Sequence, residues 1–153
     1  MRFENFGTVR PEWIDYNGHM NVAYYVLALD QATDLLWSDL GLDEKFRARG
    51  RTTFAAECWI GYRRELLEGA PLSAQCWLLA HDDKRLLVRC NLYHATEGWL
   101  ASEGEWLTLG VELATRRVAP WPDDIRANFR AFEARYPLPA DAPPPRQRIT
   151  GNR

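Results

Sequence analysis

The sequence is poor in the residues that build metal sites and disulfide frameworks. Among 153 residues there are only three cysteines and three histidines, and no CxxC pair occurs. The cysteines stand inside apolar, strand-like segments, so we interpret Cys58, Cys76 and Cys90 as buried thiols. No structural metal site is expected.

Long apolar runs and a surplus of positive charge are also missing. The longest apolar run, Val22 to Leu29, is far shorter than the roughly 20 residues that cross a bilayer, and the opening MRFENFGTVRPEW has no signal-peptide core. The net charge is -2 with scattered basic residues, which disfavours nucleic acid and anionic membranes as partners. We expect a cytoplasmic protein.

The residues that are present suffice for one folded domain. An apolar content of 46% in 153 residues is typical of a single globular core. We place this domain at residues 1–136 and a polar, proline-rich tail at 137–153, whose composition predicts no fixed structure.

The spacing of apolar residues and turn formers predicts an α+β fold. The first helix is apolar on every side over its first turns, so we expect a long central helix wrapped by an antiparallel sheet. Because a long edge strand usually needs a cover, we also expect a homodimer or homotetramer. The predicted strands are Phe6 to Ile14, Thr52 to Arg64, Leu72 to His81, Arg85 to His94 and Leu100 to Leu113, and the predicted helices are Val22 to Leu40 and Pro122 to Tyr136.

Candidate chemistry is concentrated in PEWIDYNGHMNVAYY, Pro11 to Tyr25. A turn with an acid, an amide and an imidazole directly precedes a helix, for which Asn21 is a natural N-cap. Helix amino ends carry unpaired N–H groups and partial positive charge, which suit a carbonyl oxygen that becomes negative. Asp15 would attack such a carbonyl or remove a proton from an attacking water. Either route hydrolyses an ester or a thioester.

The pattern of Asp15, two residues, Gly-His, Asn and a tyrosine-bearing helix resembles the 4-hydroxybenzoyl-CoA thioesterase family. With WIDYNGHMN and the later TRRVAPWP, the chain looks most like the betainyl-CoA thioesterases of carnitine breakdown. The resemblance spans about Gly7 to Pro122. It implies the hot-dog fold, hydrolysis of an acyl-CoA, no metal, no cofactor beyond the CoA of the substrate, and active sites at a dimer interface.

The same resemblance assigns roles to single residues. Asp15 becomes the nucleophile or the general base, and the backbone N–H of Val22 becomes the oxyanion donor. Asn17 and His19 match residues that shape or assist the turn. Further candidates for substrate contact are Gly18, Tyr24, Glu57, Arg63 and Arg64, the arginines because CoA carries phosphates.

Two other functions stay open at this point. Hot-dog proteins also include hydratases and dehydratases of acyl thioesters, and a binding protein for acyl-CoA or a quaternary ammonium would need no catalyst. Aromatic faces bind trimethylammonium groups well. However, tryptophans on predicted strands are more often packing residues; these are Trp59, Trp77, Trp99 and Trp106.

Overall fold

The fold is that of a computed structural model, which describes residues 1–146 and 149. A short 3-10 turn at Pro11–Trp13 lies between the first strand and the first helix. The strands are β1 (Arg2–Thr8), β2 (Arg51–Tyr62), β3 (Pro71–His81), β4 (Arg85–His94), β5 (Leu100–Glu112) and β6 (Arg117–Val118), and the helices are α1 (Val22–Leu40), α2 (Glu44–Ala48) and α3 (Asp123–Arg135).

The strands form a six-stranded sheet in the order β1-β3-β4-β5-β2, with β6 paired to β5. The β1 strand pairs antiparallel with β3, where Arg2 stands opposite Gln75. The β6 strand pairs antiparallel with β5, where Val111 stands opposite Val118. The β2 strand stands at one end of this order. The predictions of β2 to β5 and of both long helices are confirmed, with small shifts at their ends.

The prediction of a first strand from Phe6 to Ile14 is wrong. The strand ends at Thr8, and Pro11 opens the 3-10 turn that runs to Trp13. Proline has no N–H to give to a strand, and its fixed φ suits the first position of a helical turn. The α2 helix and the β6 strand were not predicted, because they are too short to show a period.

The α1 helix has its predicted ends, but it is not buried on every side. Its covered face includes Tyr25 and Leu29, whereas Val22, Leu27 and Leu35 are 59%, 38% and 42% exposed. A helix that packs on one side of a sheet covers only one stripe. The apolar residues outside that stripe therefore form uncovered surface in the single chain.

Two compact units make up the chain, each built from several segments. In the first unit α1 lies against β4, where Thr33 Oγ1 is 3.4 Å from Cys90 Sγ. In the second unit α3 buries its predicted apolar stripe of Ile125, Phe129 and Phe132. The first unit comprises Met1–Thr33, Ile60–Cys76 and Cys90–Gly104, and the second comprises Asp34–Trp59, Trp77–Arg89 and Glu105–Arg153.

The interpretation of the cysteines as three buried thiols is wrong. Cys76 and Cys90 form a disulfide across β3 and β4, with their Cα atoms 4.2 Å apart. Cys58 is exposed on β2. The two strands are joined by a tight turn around Asp83, and residues equally distant from such a turn stand opposite each other in an antiparallel pair.

A buried ion pair in the second unit holds part of the predicted tail. The Nε of Arg89 donates to Glu105 Oε1 at 3.0 Å, and both side chains are almost completely buried. The Nη1 of Arg89 also donates to the carbonyl of Pro143, and the N–H of Arg146 donates to Glu105 Oε2. The tail is thus held as far as Arg146; residues 147, 148 and 150–153 lie outside the described residues.

In the described part of the chain, no helix is both long enough and apolar enough to span a membrane.

Candidate active site

The turn that carries Asp15 is closed by its own hydrogen bonds. The N–H of Asp15 donates to the carbonyl of His19 at 3.1 Å, and the N–H of Gly18 donates to the carbonyl of Asp15 at 3.0 Å. The N–H of Asn17 donates to Asp15 Oδ1 at 2.7 Å. One carboxylate oxygen of Asp15 therefore fixes the turn, and Oδ2 makes none of these bonds.

Gly18 has the backbone conformation that this turn requires. Its φ is +84°, a left-handed value that side chains disfavour. Nothing lies within 4 Å of the position that a Cβ would take, so the requirement is conformational and not one of space. On either side of the turn, Ile14 and Met20 form an antiparallel bridge. The predicted role of Gly18 is therefore best understood as shaping the turn.

The first turn of α1 begins as predicted, with Asn21 as its cap. The N–H of Asn21 donates to the carbonyl of Trp13, and Asn21 Oδ1 accepts the N–H of Ala23 at 3.0 Å. The carbonyl of Asn21 accepts the N–H of Tyr24. Among the described residues the N–H of Val22 has no hydrogen-bond acceptor. It is thus available to a ligand, as an oxyanion donor must be.

The loop between β2 and β3 is fastened to this turn through Tyr25. The N–H of Met20 donates to the carbonyl of Leu66 at 2.8 Å, and the N–H of Leu66 donates to the Tyr25 hydroxyl at 2.9 Å. That hydroxyl donates to the carbonyl of Arg64 at 3.4 Å. Burial raises the pKa of Tyr25 against the lowering effect of the Leu66 N–H, so the hydroxyl keeps its proton at neutral pH.

The imidazole of His19 meets a carboxylate from the same loop. His19 Nε2 lies 3.5 Å from Glu65 Oε1, with side chains 28% and 72% exposed. The carbonyl of His19 is tied to Asp15, but the described residues show no hydrogen bond between the two side chains. The sequence therefore placed His19 correctly in the turn, while its imidazole points to Glu65.

The two predicted arginines differ in their surroundings. Arg63 Nε donates to Glu103 Oε1 at 2.6 Å, and this carboxylate is only 11% exposed. Arg64 instead places its guanidinium 4.2 Å from the centre of the Trp99 ring. Glu103 neutralises the charge of Arg63 within the chain. The guanidinium of Arg64 instead lies over the aromatic face of Trp99.

Tyr24 and Glu57 complete the predicted set. The ring of Tyr24 stacks on Trp13 with centroids 5.5 Å apart, and Arg10 lies over the same indole. Tyr24 thus belongs with the turn in the first unit. Glu57 belongs to the second unit and is exposed on β2.

The first unit holds every predicted site residue except Glu57. Three residues near them were missed, namely Tyr25, Glu65 and Trp99, because their contacts join segments that are distant in the sequence. The doubled tyrosine at 24 and 25 was visible, but the sequence does not tell which ring turns inward. Among the described residues no group of three His, Cys, Asp or Glu side chains could hold a metal ion.

The sequence is similar to known thioesterases. Residues 9–129 match the model of the thioesterase-like superfamily. The chain is 39% identical over 133 residues to a betainyl-CoA thioesterase of Pseudomonas aeruginosa, covering 86% of this chain and 84% of that protein.

Solved structures share the fold. A hypothetical protein from Staphylococcus aureus in complex with CoA superposes with a TM-score of 0.86 and 25% identity, covering 99% of this chain and 96% of that one. A putative thioesterase from Pseudomonas putida gives a TM-score of 0.77 and 28% identity, covering 99% and 94%. Both the predicted α+β hot-dog fold and the predicted thioester hydrolysis are confirmed. The chain belongs to the thioesterase-like superfamily and is a thioester hydrolase with the hot-dog fold.

Proposed function

We propose that this enzyme hydrolyses betainyl-CoA to betaine and free CoA, with Asp15 as its catalytic carboxylate. The observation that carries the proposal is the position of Asp15 in a closed turn directly before α1, whose Val22 N–H has no acceptor in the described chain. The choice of the betainyl group rests on the similarity to the betainyl-CoA thioesterase of Pseudomonas aeruginosa.

In this mechanism the thioester carbonyl oxygen accepts a hydrogen bond from the N–H of Val22. The positive end of α1 stabilises the negative charge that grows on that oxygen. Asp15 either takes a proton from the water that attacks the carbonyl carbon, or attacks it to form a mixed anhydride that water then opens. In both routes the carbon–sulfur bond breaks and the sulfur leaves with a proton as the CoA thiol.

The roles of Asn17 and His19 follow from their contacts. The N–H of Asn17 fixes the Asp15 carboxylate, so this residue orients the catalyst through its backbone. His19, beside Glu65, is a candidate to pass a proton to the leaving sulfur. We propose no cofactor beyond the CoA that the substrate itself carries.

A betainyl group differs from other short acyl groups by its permanent positive charge. Trimethylammonium groups bind over indole and phenol rings, and the turn carries Tyr16, with Tyr24 on the first turn of α1. Tyr16 is 97% exposed and Glu65 adds a negative charge nearby. These residues make the surroundings of Asp15 suitable for a cationic acyl group.

The active form is proposed to be a homodimer, or a homotetramer made of two such dimers, in the cytoplasm. Residues 54–58 of β2 are all exposed, although alternate residues of a strand that lies in a sheet normally face a covered side. The strand also stands at the end of the strand order. A second copy would cover this edge.

The substrate is tested by measuring release of free thiol from betainyl-CoA and from 3,3-dimethylbutyryl-CoA, in which carbon replaces the charged nitrogen. We expect the value of kcat/KM to be at least about tenfold higher for betainyl-CoA, since a desolvated cation–aromatic contact contributes about 2 kcal/mol. Equal values would reject recognition of the charge. Release from neither ester, with release from 4-hydroxybenzoyl-CoA, would reject the proposed acyl group but retain thioester hydrolysis.

A further inference from the structure

Arg64 differs from the other arginines of the first compact unit in having no ion pair among the described residues. This unit contains no lysine, and every arginine in it except Arg64 is paired with a carboxylate. Among the described residues no carboxylate forms an ion pair with Arg64, and its side chain is exposed. The pairs that the others form are Arg2 with Glu4, Arg10 with Glu12, and Arg63 with Glu103.

Arg64 is held in place at both its backbone and its side chain. Its N–H donates to the carbonyl of Ala101 at 3.1 Å, and its own carbonyl accepts from the Tyr25 hydroxyl. The guanidinium lies over Trp99 at 4.2 Å. A guanidinium stacked on a ring uses its flat face and leaves the N–H groups of its edge for a planar or tetrahedral anion.

The ring beneath Arg64 is itself fixed. Trp99 Nε1 donates to Glu97 Oε2 at 2.8 Å, and the His94 ring lies 5.1 Å from the indole. The N–H of Glu97 donates to His94 Nδ1 at 3.2 Å, which closes the turn between β4 and β5. The carboxylate of Glu97 is therefore occupied by Trp99 and stays in its own turn.

We propose that Arg64, mounted on Trp99, is the phosphate-binding subsite for the CoA part of the thioester. This inference rests on the proposed function, since it names a contact of that same substrate. Arg64 shares a loop with Leu66, whose carbonyl holds Met20 at the end of the catalytic turn. An unpaired arginine of fixed geometry on this loop suits a phosphate, which takes two parallel N–H bonds from one guanidinium.

Arg63 is excluded from this role by Glu103. The carboxylate is almost buried and takes the Nε of Arg63 at 2.6 Å, so a phosphate would have to displace a short internal ion pair. Arg64 can accept a phosphate without breaking any bond to a carboxylate.

The test compares betainyl-CoA with betainyl-pantetheine, which has the same thioester and no phosphate. In Arg64→Met we expect KM for the CoA ester to rise about tenfold, the equivalent of one hydrogen bond to a charged group, with kcat nearly unchanged. The KM for the pantetheine ester should stay as in the wild type. Arg130→Met, an exposed arginine on α3, serves as the matched control and should change neither value.

An unchanged KM for the CoA ester in Arg64→Met, or an equal rise for both esters, would overturn the subsite. If Arg64→Met does not fold, Trp99→Leu removes the platform and should raise KM for the CoA ester alone. Calorimetry of free CoA with wild type and Arg64→Met separates this inference from the proposed function. Weaker binding of CoA by the variant supports the subsite even if no betainyl ester is hydrolysed.

Discussion

Tyr25 shows how one buried hydroxyl can support the Asp15 turn without a hydrogen bond to Asp15 itself. It accepts the N–H of Leu66 and donates to the carbonyl of Arg64, and Leu66 in turn holds Met20 at the end of the Asp15 turn. Leu66 itself is completely buried. Without the Tyr25 hydroxyl the buried N–H of Leu66 has no acceptor. This costs about 1–3 kcal/mol of stability when no water takes the place of the hydroxyl.

We predict that Tyr25→Phe lowers kcat severalfold, because the catalytic turn loses its support, and raises KM for the CoA ester, because the carbonyl of Arg64 loses its donor. Tyr93→Phe is the matched control. The side chain of Tyr93 is half-buried, and its hydroxyl accepts a hydrogen bond from Asn91 on the same strand. Melting temperature and steady-state rates are measured for both variants. Equal loss of kcat in both, or unchanged kcat in Tyr25→Phe, would contradict a positioning role.

At the scale of elements, the amino end of α1 does two things at once. Asn21 caps the helix by taking the N–H of Ala23, and among the described residues the N–H of Val22 has no acceptor, as the proposed oxyanion donor requires. The sequence was sufficient to predict this arrangement, because the cap, the helix and the turn are all local. It was not sufficient for the loop at 63–67, whose contacts with the turn depend on how separate segments pack.

We predict that Asn21→Ala destabilises the protein by about 1 kcal/mol, the usual contribution of an N-cap. Asn21→Asp should keep most of the wild-type stability, since aspartate caps equally well, yet it should lower kcat by placing a negative charge beside the proposed oxyanion. Chemical denaturation and thiol release are the two measurements. If Asn21→Asp proves as destabilising as Asn21→Ala, the capping role is contradicted.

The pairing of β3 with β4 explains why the cysteines were misinterpreted. The sequence contained the information that Cys76 and Cys90 are equally distant from the turn between β3 and β4, and hence opposite each other. Reading them by composition alone led to the wrong interpretation of buried thiols. The exposed apolar residues of α1 were missed for a similar reason, because their spacing shows that a face is apolar and not what covers it.

The single chain leaves apolar helix surface and the middle of one long strand exposed to solvent. The middle of β2 is exposed throughout residues 54–58, and α1 exposes Val22, Leu27 and Leu35. A monomer with such a strand at its edge would be prone to uncontrolled pairing. Defined pairing of two copies removes this hazard and is consistent with the predicted homodimer.

We predict that Ala56→Glu, which puts a charge on the exposed part of β2, shifts the proposed dimer towards monomer. Ala127→Glu on α3 is the control, because Ala127 is also exposed and a glutamate is well tolerated in a helix. Sedimentation velocity at matched concentrations gives the masses. A wild-type monomer, or an Ala56→Glu protein that stays dimeric, would contradict assembly through β2.

The proposed catalytic role of the Asp15 carboxylate is tested most directly by the rate of free CoA release from betainyl-CoA in Asp15→Asn. Asparagine keeps the shape and can still accept the N–H of Asn17, so the turn should persist. We expect kcat to fall by roughly 10²–10⁴-fold, while Asp30→Asn, an exposed aspartate of α1, keeps the wild-type rate. A folded Asp15→Asn protein with the wild-type rate would contradict Asp15 as the catalytic carboxylate.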